Sequence, residues 1–396
     1  MRLHFIFVFT LVYFFNMRFL IISSFLPSVL NFRGKLLEAI HQQGYEIHIV
    51  APDLASFSAE HEKLLDLGYF IHEVSMQRTG TNPVADLKTL GSMYTLIKKI
   101  KPDYVLSYTI KPVIYGTLAA WLAKVPNRYA LITGLGYAFQ NVETQTKRSV
   151  FQKLVHGLYQ QALWRSHKAF FQNPDDLKLF QDLKLLTVQT PTVVVNGSGV
   201  NVADFNVLPL PLTADQKIKI SFLLIARLLV DKGIREYAEA AKIIKHKYPY
   251  VEFNLVGWID ENPSAIDQQE LDQWVASNTL NYWGKLSDVR PAIAESSVYV
   301  LPSYREGTPR TVLEAMAMGR AIITTDAPGC RETVINGDNG FLVEVKSVES
   351  LVKAMEKLIL QPELITQMGI RSREIALHKY DVHQVNAHMM QEMGLI

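Results

Sequence analysis

From residue 19 onward, short apolar runs with no polar interruption alternate with longer stretches in which apolar side chains recur every three or four positions. The first kind fits a strand buried on both faces, and the second fits a helix resting one face on a core. Strands are predicted at 19–23, 46–50, 104–107, 129–132, 169–171 and 192–195, and in the second half at 218–225, 251–256, 298–301 and 321–324. Helices are predicted at 33–43, 87–100, 114–123, 150–163, 234–247, 348–360 and 381–396. This alternation predicts the α/β class, two parallel sheets each doubly wound by helices. Residues 205–213 carry two prolines and follow neither period, so they read as a linker. The expected order is an apolar extension at 1–16, a first domain at 17–205, the linker at 206–213, a second domain at 214–378 and a terminal helix at 379–396. Ligands of open parallel sheets sit beyond the carboxyl ends of the strands, which places a site in the cleft between the two domains.

The run 303–319, Ser-Tyr-Arg-Glu-Gly-Thr-Pro-Arg-Thr-Val-Leu-Glu-Ala-Met-Ala-Met-Gly, concentrates candidate chemistry at such a strand end. Thr308 and Pro309 read as an N-cap followed by proline at the first helical position, leaving the amides of Arg310 and Thr311 free at the positive end of a helix. Such an end accepts a diphosphate. Glu306 lies on the loop before it and Glu314 within the helix, so a ligand draped over Gly307, Thr308 and Pro309 meets both carboxylates. Spacing alone equally allows a surface loop and an amphipathic helix with a solvated Glu. Arg227 and Lys232 follow the apolar run 222–225, and a guanidinium fork with a point charge suits two phosphates. Two solvated loop cations are the alternative. Gly134 and Gly136 follow another apolar run and allow close backbone approach, although the third glycine of a dinucleotide fingerprint is missing.

The Glu-x7-Glu element, with Gly-Arg-Ala-Ile-Ile at 319–323, Asn-Gly-Asp-Asn-Gly-Phe-Leu-Val at 336–343, Ile-Ala-Arg-Leu-Leu-Val-Asp-Lys-Gly at 225–233 and Asn-Gly-Ser-Gly-Val-Asn at 196–201, resembles the retaining glycosyltransferases of family 4. The resemblance covers most of the chain after Met17. It implies the GT-B architecture, two Rossmann-like domains facing a central cleft, with the last helix crossing back to the first domain. It further implies that Arg227 and Lys232 hold the donor diphosphate, that Glu306 contacts the sugar and Glu314 the ribose, and that Arg227, Lys232 and Glu306 carry catalysis. Gly257 and Lys285 stand where the family holds the nucleotide base, beside Trp258, which reads as packing. The segments 107–112 and 133–137 are similar to the subgroup that adds N-acetylhexosamines to polyprenyl-diphosphate-linked sugars. An acceptor side is therefore expected at Asn31, Phe32, Arg33 and Gly34 after the first strand, and at Lys111, Gly134, Gly136 and Tyr137. Lys111 occupies a region where many members carry a histidine, which suggests a phosphate contact there; a solvent-facing lysine is the alternative. The expected substrates are a UDP-sugar, carrying N-acetylgalactosamine, and a polyprenyl-diphosphate-linked saccharide. No separate cofactor is expected. The expected location is the inner face of the cytoplasmic membrane, with the protein peripheral to it.

Composition narrows this only a little. A formal charge of +2 over 396 residues gives no reason to expect a nucleic-acid partner. The single cysteine, Cys330, excludes an intramolecular disulfide and a cysteine-based metal site. No Asp-x-Asp element and no metal-like histidine spacing occur, so no metal is expected, and cations with a helix start are left to neutralise the leaving group. Residues 1–16 are strongly apolar but short for a span, and are expected to be an upstream extension before the first strand, with a membrane-associating segment as the rival. Two other functions stay open: a nucleotide-sugar epimerase of the same architecture, which needs acid/base carboxylates or histidines in the cleft, and a sugar-nucleotide-binding protein without turnover.

Overall fold

The computed structural model describes residues 17–77, 82–135, 139, 150–260 and 262–396. The expected extension at 1–16 lies outside the described residues. Strands β1 (Arg18–Ile22), β2 (Glu46–Ala51), β3 (Phe70–Glu73), β4 (Tyr104–Tyr108), β5 (Asn127–Ile132), β6 (Lys168–Phe171) and β7 (Thr192–Val194) form one sheet. Strands β8 (Ser221–Ile225), β9 (Glu252–Val256), β10 (Asn281–Tyr282), β11 (Val298–Leu301), β12 (Ala321–Thr325) and β13 (Gly340–Val343) form a second. The paired strands are parallel within each sheet, in the orders β3-β2-β1-β4-β5-β6-β7 and β10-β9-β8-β11-β12-β13.

The central strands show why the pattern was readable. Every residue of Ser221–Ile225 and of Val298–Leu301 is buried, because helices cover both faces. The sheet order reverses between β1 and β4 in the first domain and between β8 and β11 in the second. Those reversals open a crevice at the carboxyl ends of Ile22, Tyr108, Ile225 and Leu301, where a doubly wound sheet receives its ligand.

The chain returns to the first domain at its end. Val200 and Asp381 pair as an isolated parallel bridge, in which the Val200 amide donates to the Tyr380 carbonyl (2.8 Å) and the Val382 amide to the Val200 carbonyl (3.0 Å). The helix Val382–Met393 then buries Met389, Met390 and Met393 in the core formed by β1, β2 and the helix Leu26–Gln42. Tyr129 donates its hydroxyl to the Met393 carbonyl at 2.6 Å, and Lys168 Nζ reaches Glu392 Oε2 at 2.6 Å. The linker at 206–213 is fastened to the second domain: Arg320, fully buried, donates to the carbonyls of Leu208 (2.8 Å) and Pro209 (3.2 Å).

Candidate functional site

The site is assembled where the loops after β8 and β11 touch. Lys232 ends a short turn, Val230–Lys232, and Gly233 passes directly into the helix Ile234–Lys247. Tyr304 donates its amide to the Asp231 carbonyl at 2.9 Å, and Ser303 donates its hydroxyl to the same oxygen at 3.1 Å. These two bonds pull the loop after β11 onto the turn and set Lys232 Nζ 2.5 Å from Glu306 Oε1. Both side chains are about five-sixths buried, at 15% and 17% exposure. Burial acts to lower the lysine pKa, but the carboxylates of Glu306 and Asp231 outweigh it and the net shift is upward, so Lys232 stays a cation.

Glycines bring backbone close around that loop, and at Gly329, with φ +80°, no side chain is accommodated. A side chain on Gly307 would come within 2.3 Å of Gln172 Oε1, and one on Gly329 within 2.1 Å of the Glu306 carbonyl oxygen. The backbone carrying Glu306 is thereby pressed between the first domain and the loop after β12.

The helix that follows starts one residue later than the sequence pattern suggested. It spans Arg310–Ala317 with Pro309, not Thr308, as the N-cap residue. Thr308 instead donates its hydroxyl to the Gln172 carbonyl of the first domain at 2.9 Å, so its oxygen serves domain contact rather than the helix end. The amides of Val312 and Leu313 turn back to the Pro309 carbonyl, and among the described residues no hydrogen bond takes those of Arg310 and Thr311. Those two amides lie on the same helix start as the loop of Glu306, as expected for an anion site. Thr311 accepts a hydrogen bond from the buried Tyr299 hydroxyl at 2.6 Å, which fixes the first turn against β11.

Glu314 is buried, and Arg310 Nε reaches its Oε1 at 2.8 Å. Burial raises its pKa while Arg310 pulls the other way. Arg227 Nη1 lies 2.7 Å from Asp260 Oδ2. Gly257 presses its backbone onto β8, where a side chain would stand 1.9 Å from the Ala226 carbonyl oxygen, and its amide donates to the Gly284 carbonyl at 2.9 Å. Lys285 Nζ stands 4.9 Å over the Trp258 ring. Trp258, read as packing, is 41% exposed, with its ring under Lys285 beside Gly257.

On the first domain, the helix predicted at 33–43 begins at Leu26, because Pro27 at its first turn suits helix entry. Asn31, Phe32, Arg33 and Gly34 are therefore helical rather than loop residues. Phe32 faces the second domain, with Arg310 Cζ 5.6 Å from its ring, while Arg33 is buried against the Tyr108 ring. Lys111 does not point openly into solvent but binds Asp86 Oδ1 at 2.7 Å, an aspartate that also accepts from the Tyr115 hydroxyl at 2.9 Å. Gly134 abuts the loop of Glu306, with its amide nitrogen 3.2 Å from where a Gly307 side chain would begin. Gly136 and Tyr137 lie outside the described residues.

Three residues that sequence reasoning missed bind the Glu306 loop to the first domain. Asn173 donates to the carbonyls of Gly307 (2.8 Å) and Glu306 (3.3 Å) while its own carbonyl oxygen accepts from the Asp176 amide at 2.7 Å. Gln172 receives Thr308, and Asp176 receives Arg305. The signal was present as Asn-Pro-Asp-Asp directly after β6, an N-cap asparagine with proline in the first turn of the helix Pro174–Asp182.

The arrangement gathers groups suited to an anion: Arg227 and Lys232 beyond one strand end, and two amides at a helix start, with Glu306 beside them in its pair with Lys232. Among the described residues no group of three or more metal-ligating side chains is positioned for an ion, and no helix is long and apolar enough to cross a membrane.

Known proteins share this fold. The model of a family described as glycosyl transferases group 1 matches residues 219–361, and one described as glycosyl transferase 4-like matches residues 27–173. The chain is 29% identical over 364 residues to the Campylobacter jejuni N,N'-diacetylbacillosaminyl-diphospho-undecaprenol alpha-1,3-N-acetylgalactosaminyltransferase, covering 89% of this chain and 92% of that one. It is 29% identical over 285 residues to the Escherichia coli UDP-Gal:alpha-D-GlcNAc-diphosphoundecaprenol alpha-1,3-galactosyltransferase, covering 69% of this chain and 71% of that one. Among solved structures, Anabaena HepE in complex with UDP superposes with a TM-score of 0.74 at 16% identity, over 96% of this chain and 100% of that one. That likeness establishes the two-domain GT-B fold expected from the resemblance.

Proposed function

The chain belongs to the glycosyltransferases of group 1 with a 4-like first half, and from that premise we propose that it moves an N-acetylhexosamine, N-acetylgalactosamine in particular, from its UDP form to a saccharide carried on polyprenyl diphosphate, with retention at the anomeric carbon. The observation that carries the reading is the Lys232–Glu306 pair beside the open amides of Arg310 and Thr311. Both named relatives act on sugars linked to diphosphoundecaprenol, the Campylobacter protein with N-acetylgalactosamine and the Escherichia protein with UDP-galactose. HepE was solved with UDP in the same fold.

In this reading the donor diphosphate lies over the start of the helix Arg310–Ala317, with Arg227 and Lys232 on its oxygens. Each charge-assisted hydrogen bond contributes about 1.5–3 kcal/mol. When a phosphate takes Lys232, the Glu306 carboxylate is released from the pair and can accept from a sugar hydroxyl. Negative charge grows on the departing UDP, and the cations and amides that meet it are already in place, so little reorganisation is needed. The acceptor hydroxyl attacks from the face the diphosphate leaves, passing its proton to the leaving phosphate. Glu314, held by Arg310, meets the ribose. The protein works at the inner face of the membrane that holds its lipid acceptor, in assembly of a bacterial surface glycan.

An epimerase reading needs an acid and a base flanking a sugar carbon. The carboxylate nearest the phosphate grip, Glu306, is instead bound to a lysine that remains charged. Transfer itself tests the proposal: the purified protein is incubated with a panel of UDP-sugars and a polyprenyl-diphosphate-linked acceptor. Products are weighed by mass spectrometry and their new linkage read by NMR, with an α-linked HexNAc expected.

A further inference from the structure

Arg33 is 2% exposed, and among the described residues no hydrogen bond reaches its side chain; its Nε is buried without a partner. Its guanidinium lies against an aromatic ring, with Cζ 5.5 Å from the ring centre of Tyr108, whose hydroxyl is already engaged with Ser28 Oγ at 2.7 Å. A desolvated cation–π contact contributes about 2 kcal/mol, whereas burying an ion costs several kcal/mol, so the ring does not settle the charge. Burial lowers the pKa of Arg33 to about 10, and the like charge of Arg310 across the cleft adds to the effect. Arg310 has a carboxylate of its own in Glu314, and Arg33 has none. A buried guanidinium without a carboxylate, near enough to a second guanidinium for the two charges to repel, is arranged for an anion that the described residues do not supply.

We propose that this anion is the diphosphate of the lipid-linked acceptor, gripped by Arg33 on the first domain with Arg310 closing over it from the second. The proposal rests on the glycosyltransferase reading above and extends it to the acceptor side. The grip assigned to the donor, Arg227, Lys232 and the helix-start amides, lies wholly on the second domain, whereas Arg33 belongs to the helix Leu26–Gln42 of the first. A planar guanidinium fork matches two phosphate oxygens at once, which a lysine does not. The exposed Phe32 ring next to it offers an apolar surface to the first sugar or isoprene unit.

The test is calorimetry with geranyl diphosphate as the probe, run with UDP at saturation so that the donor grip is filled. Wild type is expected to bind the probe, Arg33→Met to bind it at least tenfold more weakly, and Arg33→Lys to fall between. UDP affinity, titrated alone, stays the same in all three. Removing an unpaired buried charge leaves the ligand-free Arg33→Met protein at least as heat-stable as wild type, whereas a structural arginine would cost it several degrees. Equal probe binding by wild type and Arg33→Met, or a loss of UDP affinity alongside, overturns the assignment. So does a wild type that binds UDP but not the probe; a wild type that binds neither removes the glycosyltransferase reading itself. Should Arg33→Met not fold, Arg33→Lys binding the probe as tightly as wild type overturns the assignment as well.

Discussion

Arg305 reaches out of the second domain and sets its Nη2 2.6 Å from Oδ1 of Asp176, a residue of the first domain whose side chain is 1% exposed. The neighbour of Glu306 in sequence is thus anchored across the cleft, and the position of the Glu306 carboxylate depends on how the two domains meet. Burial raises the Asp176 pKa, with Arg305 and Asn173 opposing.

Arg305→Ala leaves Asp176 buried without its cation, which destabilises by roughly 3 kcal/mol at neutral pH. The loss shrinks in acid. With its folded pKa above the unfolded value, Asp176 holds a proton more readily in the native state, so the variant gains stability as pH falls through that raised pKa. Urea unfolding at about pH 8 and about pH 5 checks this; an equal deficit at both values contradicts it.

The central strands and the three helices at 150–163, 234–247 and 348–360 were legible because each has a full apolar run or stripe. The edges were not. Phe70–Glu73 is mostly half exposed, Asn281–Tyr282 has two residues, and the helix Glu363–Lys379 spreads its apolar residues around its circumference. On the site, Glu306, Lys232 and Glu314 were named from short motifs, because strand-end loops keep their chemistry close in sequence. Asn173, Asp176 and the Arg33–Arg310 juxtaposition depend on contacts between domains more than a hundred residues apart, which no local pattern encodes.

Lys232→Ala removes one charge from the phosphate grip and leaves Glu306 without its partner. UDP affinity by calorimetry is expected to fall roughly ten- to a hundredfold. Unchanged affinity would place the phosphates elsewhere.

The lysine also sets a pH expectation. Its pKa is raised above 10.5, so the stability of the pair with Glu306 is complete below that value and is lost only as pH climbs through the raised pKa. UDP affinity should hold from about pH 7.5 to about pH 9.5. A tenfold loss within that window would mean that Lys232 titrates early and is not paired as seen.

Removing residues 382–396 strips Met389, Met390, Met393 and Leu395 from the first domain's core. At about 1.5–3 kcal/mol for each fully buried side chain, the loss rivals the whole stability of a domain. The truncated protein should be insoluble or bind an exposed-surface dye; a soluble protein with the wild-type melting temperature contradicts this role of the helix.

Glu306 and Lys232 are expected to serve transfer rather than mere domain contact, and one comparison tests this directly. Wild type and Glu306→Ala are given UDP-N-acetylgalactosamine and a polyprenyl-diphosphate-linked acceptor, with and without a metal chelator, and products are weighed by mass spectrometry. The expected result is a HexNAc mass gain on the lipid with wild type, unaffected by the chelator, and a rate at least about a hundredfold lower in a folded Glu306→Ala. UDP release without a glycosylated lipid, an epimerised donor, or near-normal transfer by the variant would contradict it.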